Sequence, residues 1–220
     1  MTDQKLALVT GASRGFGAAV AEELARAGYH VVAVGRTTGA LEELDDRIKA
    51  LGGSATLAPM DITETDAMRT LCRGIFDRWG HVDLWVHAAI QSPPFSPAEQ
   101  IDLPFWTKAV KADVEALGVL VSFVAPLLRV APGGGSAVLI DDLAEGPFLG
   151  AYAACKAAQR ALFAAWEAEQ ARLQDVHVRR FVPAPMATNH RNRLYPGENT
   201  ETLTRPADEA RRLAADLGLA

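Results

Sequence analysis

The stretch Leu6-Ala7-Leu8-Val9-Thr10-Gly11-Ala12-Ser13-Arg14-Gly15-Phe16-Gly17 decides how the rest of the chain is read. The apolar run over 6–10 reads as a buried strand, and residues 16–27 carry helical periodicity. Between them the glycines follow the spacing G-x-x-x-G-x-G. Gly11 permits a tight turn out of the strand, Gly15 lets backbone approach a pyrophosphate, and Gly17 lets the helix pack close to the sheet. The helix N-terminus then offers free N–H groups and a partial positive charge to phosphates. Gly11, Ser13, Arg14, Gly15, Phe16 and Gly17 are therefore expected to cradle a dinucleotide.

Outward from this loop, apolar strands over 30–35, 54–60, 82–88, 136–140 and 176–182 alternate with helical stretches over 39–51, 64–79, 104–130 and 151–173. A last amphipathic helix is expected over 206–217, opened by Pro206. Near-continuous apolar strands alternating with helices predict an α/β, Rossmann-type, doubly wound parallel sheet with right-handed crossovers. The strand order expected is 3-2-1-4-5-6, within a single dinucleotide-binding domain over 1–220. The polar segment 188–205, centred on Pro196 and Gly197, reads as either a disordered connection or a mobile lid.

Composition narrows the function. The 220 residues carry 22 Lys+Arg against 27 Asp+Glu, a net charge of −5, so the footprint of a nucleic-acid binder is missing. No apolar run reaches the roughly 18–20 residues of a bilayer span. The first residues lack the basic and apolar regions of a signal peptide, and the two cysteines, Cys72 and Cys155, suggest neither a disulfide framework nor a metal site. A cytoplasmic protein with a small-molecule substrate is expected. The second strand ends Val34-Gly35-Arg36, with no acid before Glu42 to bind a ribose diol. Arg36, helped by Arg14, suits a 2′-phosphate instead, so NADP(H) is expected in preference to NAD(H).

Thr10-Gly-Ala-Ser-Arg-Gly-Phe-Gly17, followed by Tyr152-Ala-Ala-Cys-Lys156, resembles the short-chain dehydrogenase/reductase family over about residues 5–217. That resemblance implies a carbonyl/alcohol oxidoreductase with Tyr152 as acid/base and Lys156 as its activator. It implies an adenine contact at Asp61 and Ile62, a cofactor wall at Ala88 and Ala89, and a nicotinamide contact from Pro183 to Thr188. Tyr152 and Lys156, four apart on a helix, share a face, and an ammonium there favours the phenolate.

The chain departs from the family's pattern at several points. No Ser or Thr lies between Ser136 and Tyr152; the fifth strand ends Ile140-Asp141-Asp142, ten residues before the tyrosine. Asp113 stands where the family has a water-anchoring Asn, His87-Ala-Ala-Ile90 replaces Asn-Asn-Ala-Gly, and Ala184 replaces a Gly. Asp142 or Asp141 is expected at the substrate-oxygen position and Asp113 in the proton relay. One aspartate either stays protonated and donates as the serine would, or both turn to solvent. The family's seventh strand is expected to be absent. Homodimer or homotetramer contacts are expected through the helices over 104–130 and 151–173, the second rich in alanine. The alternative to an enzyme is a weakly active or inactive NADP(H)-binding sensor or scaffold of the same fold.

Overall fold

Along β1 (Leu6–Thr10) successive side chains enter opposite cores: Leu6 and Leu8 one, Ala7 and Val9 the other. This computed structural model describes residues 4–219. With β2 (His30–Gly35), β3 (Ser54–Pro59), β4 (Leu84–His87), β5 (Gly135–Ile140) and β6 (Val176–Phe181), β1 forms a parallel sheet in the order β3-β2-β1-β4-β5-β6. This is the expected order. Every residue of β1 and β2 is buried, as strands covered by helices on both faces must be.

The crossovers are α1 (Gly15–Arg26), α2 (Thr38–Ala50), α3 (Thr65–Trp79), α4 (Leu103–Ala109), α5 (Ala116–Arg129) and α6 (Gly150–Leu173); α7 (Asn189–Leu194) and α8 (Pro206–Asp216) follow β6. One core holds Ala21 and Leu24 of α1, Leu41, Leu44 and Ile48 of α2, and Leu213 of α8. The other centres on Trp85, packed against Phe163 and Trp166 of α6, with Met68 and Ile75 of α3 and Leu117 and Leu120 of α5. Each fully buried Leu or Ile contributes about 1.5–3 kcal/mol relative to exposure.

Three expected elements differ. The helix over 104–130 is broken by a π-helical turn, Val110–Glu115, between α4 and α5. The wide turn leaves the Asp113 carbonyl to Gln159 Nε2 of α6, which donates to it at 3.0 Å. The strand over 82–88 shortens to Leu84–His87, because Val82 N–H bonds Leu127 O at the end of α5 instead of a ladder partner.

The segment 188–205 is built, not irregular. Thr188 caps α7 by accepting from Arg191 N–H, Arg191 binds Glu198 through two 2.7 Å bonds, and Met186 bridges Thr204. Leu194 is buried with Ala144, Leu149 and Tyr152, which lays α7 against the start of α6. Of the α6 alanines, Ala151 is buried while Ala154, Ala157 and Ala161 are exposed. Among the described residues no helix is long and apolar enough to cross a membrane.

Candidate active site

The sheet order reverses between β1 and β4, and parallel sheets open a crevice at the C-terminal ends of such a strand pair. Here the crevice is a cleft of about 370 Å³. At its floor the chain turns so sharply that both Gly11 N–H and Ala12 N–H donate to Val34 O, at 3.0 and 2.9 Å. Gly11 has φ +83°, and a Cβ there would lie 2.5 Å from Ala89 N. A Cβ on Gly17 would lie 2.2 Å from Gly11 O. These two glycines close the loop onto itself and onto the end of β4. Gly15, φ +58°, meets only the Thr188 methyl at 3.7 Å and so leaves its backbone open to the cleft.

Arg14 precedes α1 without a capping side-chain bond, so the first-turn N–H groups have no side-chain partner. Ser13, Phe16, Arg36, Asp61, Ile62, Ala88, Ala89, Pro183 and Thr188 all line the same cleft as the glycines. Arg14 Nη2 bonds Thr37 Oγ1 at 3.2 Å; Arg36 Nη1 reaches Gln91 Oε1 at 3.4 Å and Asp61 Oδ2 at 3.7 Å. Two guanidinium groups thus stand together beyond β2, neither held by a short ion pair. Free helix N–H groups, an open glycine and this arginine pair are the donor set a phosphorylated dinucleotide needs, and the cleft fits one.

Across the cleft, α6 presents Tyr152 and Lys156. The Tyr152 hydroxyl donates to Asp142 Oδ2 at 3.1 Å and lies 3.2 Å from His190 Nε2. Lys156 Nζ is buried and donates to Ile140 O at 3.0 Å. Burial lowers the Lys156 pKa, while Asp113, Asp141 and Asp142 pull it back up. The expectation of a lowered phenol pKa is reversed. Tyr152 is pushed above its ordinary value, first by burial and then by the Asp142 carboxylate. Burial disfavours the phenolate most, and a carboxylate in direct contact adds to it.

The paired aspartates separate. Asp141 is buried, its Oδ1 3.3 Å from Arg160 Nη1 and accepting Asp142 N–H at 2.8 Å. Asp142 is half-buried, lines the cleft, and has no Lys or Arg within 4 Å among the described ion pairs. Asp113 does not line the cleft. It lies buried in the π-helical turn, where Oδ1 accepts Gln91 N–H at 2.8 Å and Oδ2 has no partner among the described residues. Burial raises its carboxyl to about 7. In this structure Asp113 thus braces the end of β4 by holding the backbone of Gln91.

His87 is internal: Nδ1 lies 2.9 Å from Thr10 Oγ1, and burial with Lys156 nearby drives its pKa down to about 3. One contributor escapes sequence reading. Arg160 is one turn beyond Lys156 on α6, a spacing that places it beneath the end of β5. His190, in the basic run 189–193, is brought to the Tyr152 hydroxyl, and its pKa falls to about 4, chiefly by burial. Gln91, Ser92, Met186, Asn189, Arg191 and Arg193 also line the cleft, whereas Phe95 and Phe148 do not.

A family profile described as short chain dehydrogenase matches residues 5–199. The chain belongs to the short-chain dehydrogenase family. Among relatives of this family, the short-chain dehydrogenase/reductase FrzI of Cladobotryum sp is 30% identical over 189 residues, 84% of this chain and 72% of that protein. A short-chain dehydrogenase from Shigella flexneri complexed with NADP superposes with a TM-score of 0.87 at 26% identity, covering 94% of this chain and 88% of that one. One from Escherichia coli CFT073 complexed with NADPH gives 0.87 and 26%, covering 100% and 90%. The chain spans about half, or less, of the full length of several curated relatives that it also matches. Within that family's fold, Asp142 lines the cleft beside Tyr152.

Proposed function

We propose that this chain, as one dinucleotide-binding domain, is an NADP(H)-dependent oxidoreductase interconverting a carbonyl and an alcohol. The observation that carries this reading is the meeting of Tyr152 and Lys156 with the α1 glycine loop across one cleft. A bound nicotinamide supplies or accepts the hydride. Tyr152 holds the proton at its hydroxyl oxygen and passes it to the substrate oxygen in reduction; its raised pKa keeps it protonated, which suits that direction. Lys156 holds the nicotinamide ribose. Asp142 stands at the substrate-heteroatom position, and Asp113 holds the backbone beside it. Arg36 and Arg14 take a 2′-phosphate, in line with the NADP and NADPH bound by the two bacterial relatives. The exposed alanines of α6 supply a surface for a second copy.

One observation favours a second reading, a cofactor-binding protein with little turnover: the Tyr152 proton is already engaged by Asp142. A panel of aldehydes and ketones with NADPH, run beside Tyr152→Phe, separates the two. Turnover that disappears in Tyr152→Phe supports the enzyme. NADPH binding with a rate no different from Tyr152→Phe supports the sensor.

A further inference from the structure

The atom that reacts next to the hydride-accepting carbon must sit within hydrogen-bond reach of the Tyr152 hydroxyl. That position is shared with Asp142, whose Oδ2 is 3.1 Å from the same hydroxyl. A carbonyl being reduced builds negative charge on its oxygen, and a site for it needs donors aimed there. Here the second group is an acceptor. It is also a carboxylate without an ion-pair partner within 4 Å among the described residues: Arg160 pairs with Asp141 and reaches only the backbone oxygen of Asp142, Arg191 is held by Glu198, and Lys156 Nζ donates to Ile140 O and acts on Asp142 only through space. His190, on the other side of the hydroxyl, is half-buried, and its lowered pKa of about 4 leaves it without full positive charge near neutral pH. Arg193 lines the cleft too, but is exposed at its rim.

We infer that the substrate group reduced here is a protonated C=N bond in preference to C=O, with the iminium N–H donating to Asp142. The inference rests on the nicotinamide reading given above and names the substrate class for that site. The charge logic is complementary. A carboxylate within about 3 Å raises the proton affinity of an imine nitrogen and so keeps it in its hydride-accepting, cationic form. The imine carbon takes the hydride from the reduced nicotinamide, and the C=N π pair becomes the nitrogen lone pair. The cofactor is left oxidised and the product is a neutral amine, which takes its next proton from water. No oxyanion forms, and the Tyr152 proton stays where the structure has it, on the bond that orients Asp142. Ile90, which lines the cleft and packs against the Tyr152 cluster, is apolar and suits a hydrocarbon ring around the nitrogen.

The test measures binding and turnover with matched probes. Purified full chain loaded with NADP+ is titrated with 1,2,3,4-tetrahydroisoquinoline, cationic at neutral pH, and with the alcohol α-tetralol, by ligand-detected NMR. The amine is expected to bind at least ~10-fold tighter, the size of one charge-assisted bond. Asp142→Asn should bring the amine's affinity down to that of the alcohol. With NADPH, 3,4-dihydroisoquinoline should be reduced with higher kcat/KM than α-tetralone, and Asp142→Ser should invert the order. Amine binding no tighter than alcohol in the wild-type NADP+ complex overturns the inference while leaving the carbonyl reading standing. An amine advantage retained in Asp142→Asn also overturns it. Failure of NADP+ itself to bind overturns both readings.

Discussion

Tyr152 and Asp142 are ten residues apart in the chain and bonded in the fold, the phenol O–H donating to Oδ2 at 3.1 Å. The contact exists because α6 starts directly after the loop that leaves β5, bringing the first turn of the helix back over the strand end. Its electrostatic result is a phenol that resists ionisation, burial and the carboxylate acting in the same sense. Replacing Asp142 by Ser removes the charge and keeps a polar partner. The Tyr152 ionisation should then move down by about 1–3 pH units. The tyrosinate absorbance, taken as the difference from the same variant carrying Tyr152→Phe, reads this directly. An unmoved titration would mean burial alone holds the phenol up.

Arg36 has an exposed guanidinium 3.7 Å from Asp61 Oδ2, so a phosphate competes with a weak partner. Arg36→Ala should weaken NADPH binding by about 10–100-fold, the size of one lost charge-assisted contact, and leave NADH binding almost unchanged. Quenching of tryptophan emission, with four tryptophans as reporters, measures both. Equal losses for the two nucleotides would remove Arg36 from the 2′-phosphate.

The glycines of the loop should separate into two kinds. Gly11→Ala places a Cβ 2.5 Å from Ala89 N in a left-handed backbone, so it should cost about 1–3 kcal/mol in stability, or prevent folding. Gly15→Ala has open space and bears only the left-handed penalty of about 1–2 kcal/mol, while its methyl faces the cleft. Urea unfolding together with NADPH titration distinguishes them: the first variant loses mainly stability, the second mainly affinity.

Asp113 ties stability to pH. Its carboxyl is raised from 3.8 to about 7 by burial, so between these values the folded chain binds more protons than the unfolded chain. Its contribution is complete below about pH 4 and is lost as pH rises through about 7. Asp113→Asn keeps an acceptor for Gln91 N–H and removes the titration. Urea unfolding from pH 5 to 8 should show wild type losing stability relative to Asp113→Asn as pH rises.

His190 acts in the opposite sense. Its pKa is lowered from 6.5 to about 4, so in that window the unfolded chain binds more protons and acidification works against the folded form. The effect is local, since α7 has six residues and is anchored by Leu194 and by the contact with Tyr152. Hydrogen exchange at α7 amides should therefore speed up, relative to β1, between pH 7 and pH 5. His190→Gln should remove that acid dependence.

The glycine loop and the face shared by Tyr152 and Lys156 were legible because each depends on local spacing. Three glycines between a strand and a helix have few uses, and residues four apart on a helix must lie together. The break of the long helix at Val110–Glu115 was not legible, because what accommodates it is Gln159, 46 residues from Asp113 and on another helix. Nor was α7, whose polar letters suggest solvent until Leu194 is seen buried against Tyr152.

What the amino-acid order determined by itself was the alternation of strands with helices and the glycine loop, since both reside in short contiguous stretches. What only the tertiary structure decided was the division of labour among the carboxylates. Asp141 and Asp142 are adjacent in sequence, yet one lies buried beside Arg160 and the other lies open in the cleft beside Tyr152. Asp113, expected in the proton relay, holds the Gln91 backbone through Oδ1. A carboxylate's role depends on the charges and protons within a few ångströms, and those neighbours come from β5, α6 and α7, which only folding brings together.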